Sequence, residues 1–308
     1  MTMQIKHLEY LVALSREKHF AHAAAACHVT QPTLSAGIKQ LEESLGILIV
    51  ERGQRFRGFS PQGERVLGWA RRILGDVDAL HRVVNESDGE LIGRLRLGVV
   101  PSALAAVAQL TEPFTMLHPG TTVTVLSHTS IDIQRELDDF TLDVGLTYLD
   151  NEPLTHVRPV PLYRERYRLV TPASGPVGNR STVAWREAAA LPLCLLTPDM
   201  QNRRIIDGHF RAAGALVRPR IETNSLITIW AHLRRGGYSS VLPEAMLGVV
   251  GGADGLVTIP LVDPDASQSV GLIVPDRDPP TPLAAAFLRI AETVRVDVRP
   301  PGVSTARP

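Results

Sequence analysis

From His19 to Leu45 the chain reads HFAHAAAACHVTQPTLSAGIKQLEESL. The alanines between Ala21 and Ala26 predict a short helix, and Cys27, His28 and Val29 a turn. A second helix then opens with Thr30 as N-cap and Pro32 in its first turn, where a missing N–H costs nothing. Small alanines let two helices cross closely. Val29, Leu34, Ile38 and Leu41 give the second helix one apolar face, leaving Gln31, Thr33, Ser35, Ala36 and Lys39 outward. Crossed helices with small polar side chains at the start of the second fit a helix-turn-helix whose second helix enters a DNA major groove. An ordinary helical hairpin has the same periodicity, so the neighbouring sequence has to decide.

After Gly46, a helix stop, comes ILIVERGQRFRGFSPQGERVLGWARRIL. Ile47–Val50 is a short apolar run, and Arg52, Arg55 and Arg57 are set around Gly53 and Gly58. The pattern suits the wing of a winged helix, with arginines placed for phosphates or a minor groove. The alternative is a solvated basic loop.

These residues carry a family resemblance. Gln31-Pro32-Thr33-Leu34-Ser35, Ile38, Leu41-Glu42, Leu45-Gly46, Glu51-Arg52 and Ser60-Pro61-x-Gly63 resemble, at unbroken spacing, the N-terminal signature of LysR-type transcriptional regulators. The resemblance implies an N-terminal winged helix-turn-helix, a long linker helix and an α/β effector domain of two lobes of the periplasmic-binding-protein type. It also implies DNA contacts from Gln31, Pro32, Thr33, Ser35, Ala36 and Lys39 in the major groove, and from Arg52, Arg55 and Arg57 to phosphates or the minor groove. Ala36-Gly37 departs from the larger polar or basic residues common there. Base reading at that point should be thin and the helix slightly weakened by Gly37.

At 308 residues the chain can hold two or three domains. Net charge is zero, but residues 1–72 hold ten basic and six acidic side chains, an excess that suits a nucleic-acid-facing N-terminus. Two cysteines, Cys27 and Cys194, make neither a disulfide framework nor a zinc site. Cys27 reads as a small buried apolar residue. Metals and cofactors are not expected. The first residues form a charged amphipathic helix rather than a signal peptide, and no apolar run reaches membrane-spanning length, so a cytoplasmic protein without membrane association is expected.

Ile5, Leu8, Leu11, Val12 and Leu14 should pack under the helix-turn-helix, which occupies about residues 1–60. From Pro61 to about residue 90 runs a long helix whose stripe is Val66, Trp69, Ala70, Ile73, Val77, Leu80 and Val84. The stripe needs a partner; the resemblance implies the same helix of a second subunit, hence a homodimer, and a homotetramer once the effector domains also meet.

Beyond Gly89 strands alternate with helices: 95–100, 123–127, 144–147, 167–171, 193–196, 239–241 and 270–274. The alternation predicts an α/β domain with a largely parallel sheet. By resemblance the effector domain spans 91–300, with a first lobe of about 91–163 plus 269–300 and a second of about 164–268. Phe140 stands where the family pattern has glycine before the third strand, so the turn there should differ.

Ligands of open α/β sheets sit beyond the carboxyl ends of strands, near helix N-termini that favour anions. Pro101-Ser102-Ala103, Ser127-His128-Thr129-Ser130 and Thr223-Asn224-Ser225 qualify. The candidate effector contacts are Ser102, Thr129, Ser130, Asn202 and Asn224, for a small organic anion between the lobes. Plain helix capping explains the same residue types equally well. His128 could tune binding with pH. A disulfide-based peroxide switch is disfavoured, because Cys194 alone lies in the second lobe, inside an apolar strand.

An enzyme or transport binding protein with a helical appendage is the alternative. There is no Gly-x-Gly-x-x-Gly, no phosphate loop and no His-Glu-x-x-His, and Gly237-Tyr238-Ser239-Ser240-Val241 lacks the closing glycine of a nucleophile elbow. The sequence thus favours a ligand-responsive regulator of double-stranded DNA over catalysis.

Overall fold

The computed structural model describes residues 3–52, 56–84, 91–250, 255–277 and 279–298. The chain divides into two compact units, residues 1–89 and, apart from the turn 138–141, residues 90–308.

In the first unit α1 (Ile5–Glu17), α2 (Phe20–Ala26) and α3 (Gln31–Leu45) surround one core, followed by the hairpin of β1 (Val50–Arg52) and β2 (Phe56–Phe59) and by α4 (Pro61–Val84). Leu8, Leu11, Leu14, Ala23, Leu34, Ile38, Leu41 and Ile49 are all but inaccessible and form that core with Leu67 and Ala70 of α4. Ile5 departs from the expected pattern and is exposed: it opens α1 one turn before the core begins. The stripe of α4 also divides. Ala70 packs under the three helices, joined there by Leu67, which the expected stripe omitted, with Val66 and Ile73 partly buried, whereas Trp69 and Leu80 stay 63% and 60% exposed. Among the stripe residues, the side chain of Val84 lies outside the described part.

The second unit is built on an eight-stranded sheet in the order β4-β3-β5-β12-β6-β11-β7, with β10 also on β6. Here β3 is Gly93–Val99, β4 Thr121–Ser127, β5 Val144–Tyr148, β6 Val157–Pro172, β7 Val183–Ala184, β10 Ser240–Pro243, β11 Leu256–Val262 and β12 Ser267–Pro275. The helices α5 (Leu104–Leu117), α6 (Ser130–Asp138) and α11 (Pro282–Thr293) belong to the first lobe. The second carries α7 (Trp185–Ala188), α8 (Gln201–Ala212), α9 (Leu226–Leu233) and α10 (Glu244–Val250), with a separate parallel pair, β8 (Cys194–Leu196) and β9 (Ile221–Thr223).

The sheet is mixed rather than largely parallel. Strands β3, β4 and β5 run parallel, but β12 is antiparallel to β5 and β6, and β10 and β11 are antiparallel to β6. The cause is β6 itself. Its first part pairs with β12 as far as Arg166, and from Tyr167 onward it pairs with β10 and β11, so one continuous strand serves both lobes. In the turn before β5, Phe140 adopts φ 54°. A left-handed backbone at a bulky aromatic residue is locally strained.

Candidate DNA-binding surface and effector cleft

The recognition helix is built as its sequence dictates. The Thr30 hydroxyl accepts from the Thr33 amide at 3.4 Å, Pro32 sits in the first turn, and Gly46 closes the helix with φ 67°. The preceding turn is made by His28, at φ 55°. With Leu34, Ile38 and Leu41 buried, the opposite face presents Gln31, Pro32, Thr33, Ala36 and Lys39 to solvent, and Ser35 is half-buried. Gln40, which the sequence reading passed over, is exposed on the same side; its spacing of four from Ala36 was the available signal. Gly37 turns inward, and a Cβ there would stand 2.6 Å from the Tyr10 ring. That position is therefore a helix-packing point, and the thin polar character lies at Ala36 alone. Lys39 is 3.7 Å from Glu43, an exposed pair that leaves the ammonium available.

The hairpin is fixed to this helix by Glu42. Its buried carboxylate accepts from the amides of Ile49 at 2.9 Å and Val50 at 3.0 Å. At the other end, Ser60 donates to the Leu48 carbonyl at 2.5 Å and caps α4 by accepting from the Gly63 amide at 2.9 Å. Gly63 has no room for a side chain: a Cβ would lie 2.1 Å from the Ile49 carbonyl oxygen. Leu-Glu and Ser-Pro-x-Gly are thus parts of one joint that sets the angle of the hairpin. Arg57 is exposed on β2. Arg52 ends β1, its side chain outside the described part, and Arg55 lies outside the described residues altogether.

In the effector unit a cavity of about 330 Å³ lies between the lobes. Pro101, Leu104, Ala105 and Ser127 line it from the first lobe, and Asn224, Ser225, Leu226, Ile227 and Met246 from the second. No charged side chain is among them. Ser225 caps α9 by accepting from the Thr228 amide at 3.4 Å, which leaves the first-turn amides of α9 without acceptors inside the helix. Met246 and Leu104 escaped the sequence reading because nothing in an apolar helical residue announces a cavity.

Asn224 alone of the five sequence-selected residues lines this cavity. Ser102 lies directly behind the wall, fully buried, with its hydroxyl 2.8 Å from that of Tyr148. Asn202 donates to the same Tyr148 oxygen at 2.9 Å. Thr129 caps α6, accepting from the Asp132 amide at 3.1 Å, which is the capping alternative raised for it. Ser130 donates to Glu152 at 2.8 Å and receives Arg204 at 3.2 Å, closing a bridge from α6 to α8. His128 pairs with Glu136 at 3.6 Å. Sequence reasoning missed the group at the centre, Glu165, which is 1% exposed and shares a short hydrogen bond with Tyr148. Burial pushes its carboxyl up to about 8, against the lowering effect of the Tyr148 hydroxyl. The signal was the strand pattern, with Tyr163, Glu165 and Tyr167 alternating against Arg164, Arg166 and Arg168.

Of the two cysteines, Cys194 is inaccessible in β8 and burial raises its thiol pKa. Cys27 is half-buried against the core of the first unit; burial, then the nearby Glu9 charge, raises its thiol as well. Among the described residues no cluster of metal-ligating side chains occurs, and no helix is long and apolar enough to cross a membrane.

A winged helix-turn-helix followed by a two-lobed, cleft-bearing α/β unit defines a DNA-binding regulator with a sensory domain. Residues 5–64 match the model of the bacterial regulatory helix-turn-helix protein of the lysR family, and residues 88–295 that of the LysR substrate binding domain. The chain therefore belongs to the LysR family of transcriptional regulators, which are DNA-binding proteins and not enzymes. It is 29% identical to the DNA-binding transcriptional dual regulator OxyR of Escherichia coli K12 over 296 residues, 95% of each chain. Full-length OxyR C199D from Pseudomonas aeruginosa has the same fold, with TM-score 0.75 at 24% identity over 96% of this chain and 98% of that one. So has CbnR complexed with its target DNA, with TM-score 0.65 at 20% identity over 94% and 99%.

Proposed function

We propose that this regulator binds promoter DNA as an oligomer through the exposed face of α3 and the β1–β2 hairpin, and that a compact organic acid in the interlobe cleft switches it. The cavity carries the second half of this reading. Its walls are mostly apolar, and its polar side chains are neutral: Asn224 and Ser225 at the start of α9, and Ser127 at the end of β4. A hydrocarbon or aromatic body would lie against Leu104, Ile227 and Met246. A carboxylate would meet Asn224, Ser225 and the amides of Leu226 and Ile227, which have no acceptor within the helix, where the helix dipole favours negative charge. At about 330 Å³ the space suits a small ligand. Ser102, Thr129, Ser130 and Asn202 act behind it, holding the walls in place.

Assembly is supported by apolar surface that the single chain leaves uncovered. Trp69 and Leu80 on α4 offer a seam for a second α4, giving a homodimer. Val125 and Leu126 on the edge strand β4, with Ile131 and Met116 nearby in sequence, offer a second seam for a tetramer.

Several relatives are named hydrogen peroxide-inducible genes activators. The location of Cys194 in a closed strand, with its thiol pKa raised, supports an acid effector over cysteine oxidation here. A thermal-shift screen of small organic acids, with peroxide as the comparison, tests the choice. Stabilisation by an acid that Asn224→Ala abolishes supports the cleft. A response to peroxide lost in Cys194→Ser, with none to acids, overturns it.

A further inference from the structure

The inward face of β6 between Tyr163 and Tyr167 carries one acidic side chain, Glu165. One carboxyl oxygen meets the Tyr148 hydroxyl; the other is buried without a hydrogen-bond partner. Tyr148 ends β5 and binds Ser102, both in the first lobe, while its oxygen also receives Asn202 from α8 of the second. Glu165 pairs in register with Gln268, immediately before β6 passes from one lobe to the other. The carboxyl is 1% exposed, and its Tyr148 partner bridges β5 to α8, so parting of that seam is a route by which water would reach it.

The groups facing it bring no positive charge. They are Tyr148 from β5, Tyr163 and Tyr167 from β6 itself, Gln268 from β12, and Asn202 and His209 from α8. His209 stacks 5.9 Å from Tyr167, and burial lowers its pKa, so it is neutral at pH 7. Arg164 and Arg166 project from the opposite face of the strand.

We propose that Glu165, Tyr148, Ser102 and Asn202 form a proton-operated latch: a proton on Glu165 closes the seam between the lobes, and its loss opens it. In the closed form the Glu165 hydroxyl donates to the Tyr148 oxygen, Tyr148 donates to Ser102, and Asn202 supplies the second donor to Tyr148. In the ionised form Tyr148 donates to Glu165 and Ser102 donates to Tyr148, which reverses the chain. The second carboxylate oxygen then holds charge with only the Tyr167 hydroxyl as a facing donor and, among the described residues, no cation beside it, a costly state in the interior. Parting of the seam hydrates it, and the proton leaves to solvent by the same route. The latch needs only the two-lobed fold and stands whether or not the cleft ligand is an acid.

The closed form holds the proton up to about pH 8, whereas a hydrated glutamate releases it near 4.5. Opening is therefore promoted throughout that interval and levels off above it. Amide hydrogen exchange on the full chain, corrected for intrinsic chemistry, reads this at residues 100–104 and 200–204. Wild-type exchange there should rise by about tenfold per pH unit up to the carboxyl's midpoint, then flatten. Glu165→Gln should remove the slope, and equal slopes in the two proteins overturn the proposal. Infrared titration of 13C-glutamate-labelled protein gives a reading that does not depend on Glu165→Gln folding. A protonated carboxyl band should persist at pH 7, and its midpoint should move upward in Tyr148→Phe. An ordinary glutamate midpoint, or one that Tyr148→Phe leaves in place, overturns the proposal.

Discussion

Glu42→Ala should detach the hairpin from the recognition helix. The buried carboxylate of Glu42 is the acceptor for two backbone amides, those of Ile49 and Val50. Alanine leaves both donors buried and unsatisfied, at about 1–3 kcal/mol each. Relief of the charge's own desolvation offsets part of that loss, so a net destabilisation of about 2–4 kcal/mol is expected. Glu42→Gln keeps an amide oxygen at the same reach and should cost only about 1 kcal/mol, the difference between charged and neutral acceptors. Amide exchange in the full chain is the direct assay, because Ile49 and Val50 lie in the joint itself. Their protection should fall by about a hundredfold in Glu42→Ala while core amides of the effector unit are unchanged. Affinity for promoter DNA should fall in parallel, since the hairpin no longer presents Arg57 at a fixed angle to α3. Unchanged protection at Ile49 and Val50 would falsify the claim that this carboxylate fixes the hairpin.

Gly63→Ala acts on the same joint from the other side: the 2.1 Å approach to the Ile49 carbonyl forces a backbone shift, and thermal unfolding should show a loss of about 2 kcal/mol or more. Arg57→Ala should weaken binding to all DNA sequences alike and reduce the slope of log affinity against log salt by about 0.9; an unchanged slope excludes a phosphate contact. Below the ordinary glutamate pKa of 4.5 Glu165 is neutral in both folded and unfolded chains. Its folded pKa is raised to about 8, so stability is lost as pH rises between those values and is flat beyond, by up to about 5 kcal/mol. Denaturant titrations across that range should find wild type losing stability relative to Glu165→Gln, and parallel curves would refute the assignment. Ile227→Glu should abolish stabilisation by an acid effector while leaving DNA affinity intact, as read by thermal shift and electrophoretic mobility.

The first unit was legible because each of its devices is local. Thr30, Pro32 and Gly46 mark the ends of α3 within a few residues, and the apolar face follows from a spacing of three and four. What the sequence hid there is tertiary: Gly37 reads as a weak helix residue until Tyr10 is seen against it, and Ile5 reads as core until α1 proves to start too early. In the second unit the central strands were legible as alternating or continuous apolar runs. The first part of β6 was not, because Pro159 and Pro161 demote a strand, yet both pair with β12 opposite Ile273 and Gly271. Strand β8 was legible from the apolar run at 193–196, whereas β9 has three residues, too short for periodicity. Asn224, singled out because Asn-Ser before an apolar helix is a local signal, lines the interlobe cavity at the start of α9. Ser102, at a strand-to-helix turn, and Asn202, in the run Met200–Arg204, were also singled out from local sequence, and both have hydrogen bonds to Tyr148 across long sequence separations. No local pattern reveals such a partner.

The central claim is that the outward face of α3 lies in the major groove, with a second copy engaging a second half-site. Methylation interference on a promoter fragment, at guanine N7 in the major groove, reads this directly. The account predicts two clusters of interfering guanines separated by whole helical turns, both lost in Ala36→Glu. Binding that tolerates N7 methylation throughout, or a single cluster bound by a monomer, contradicts it.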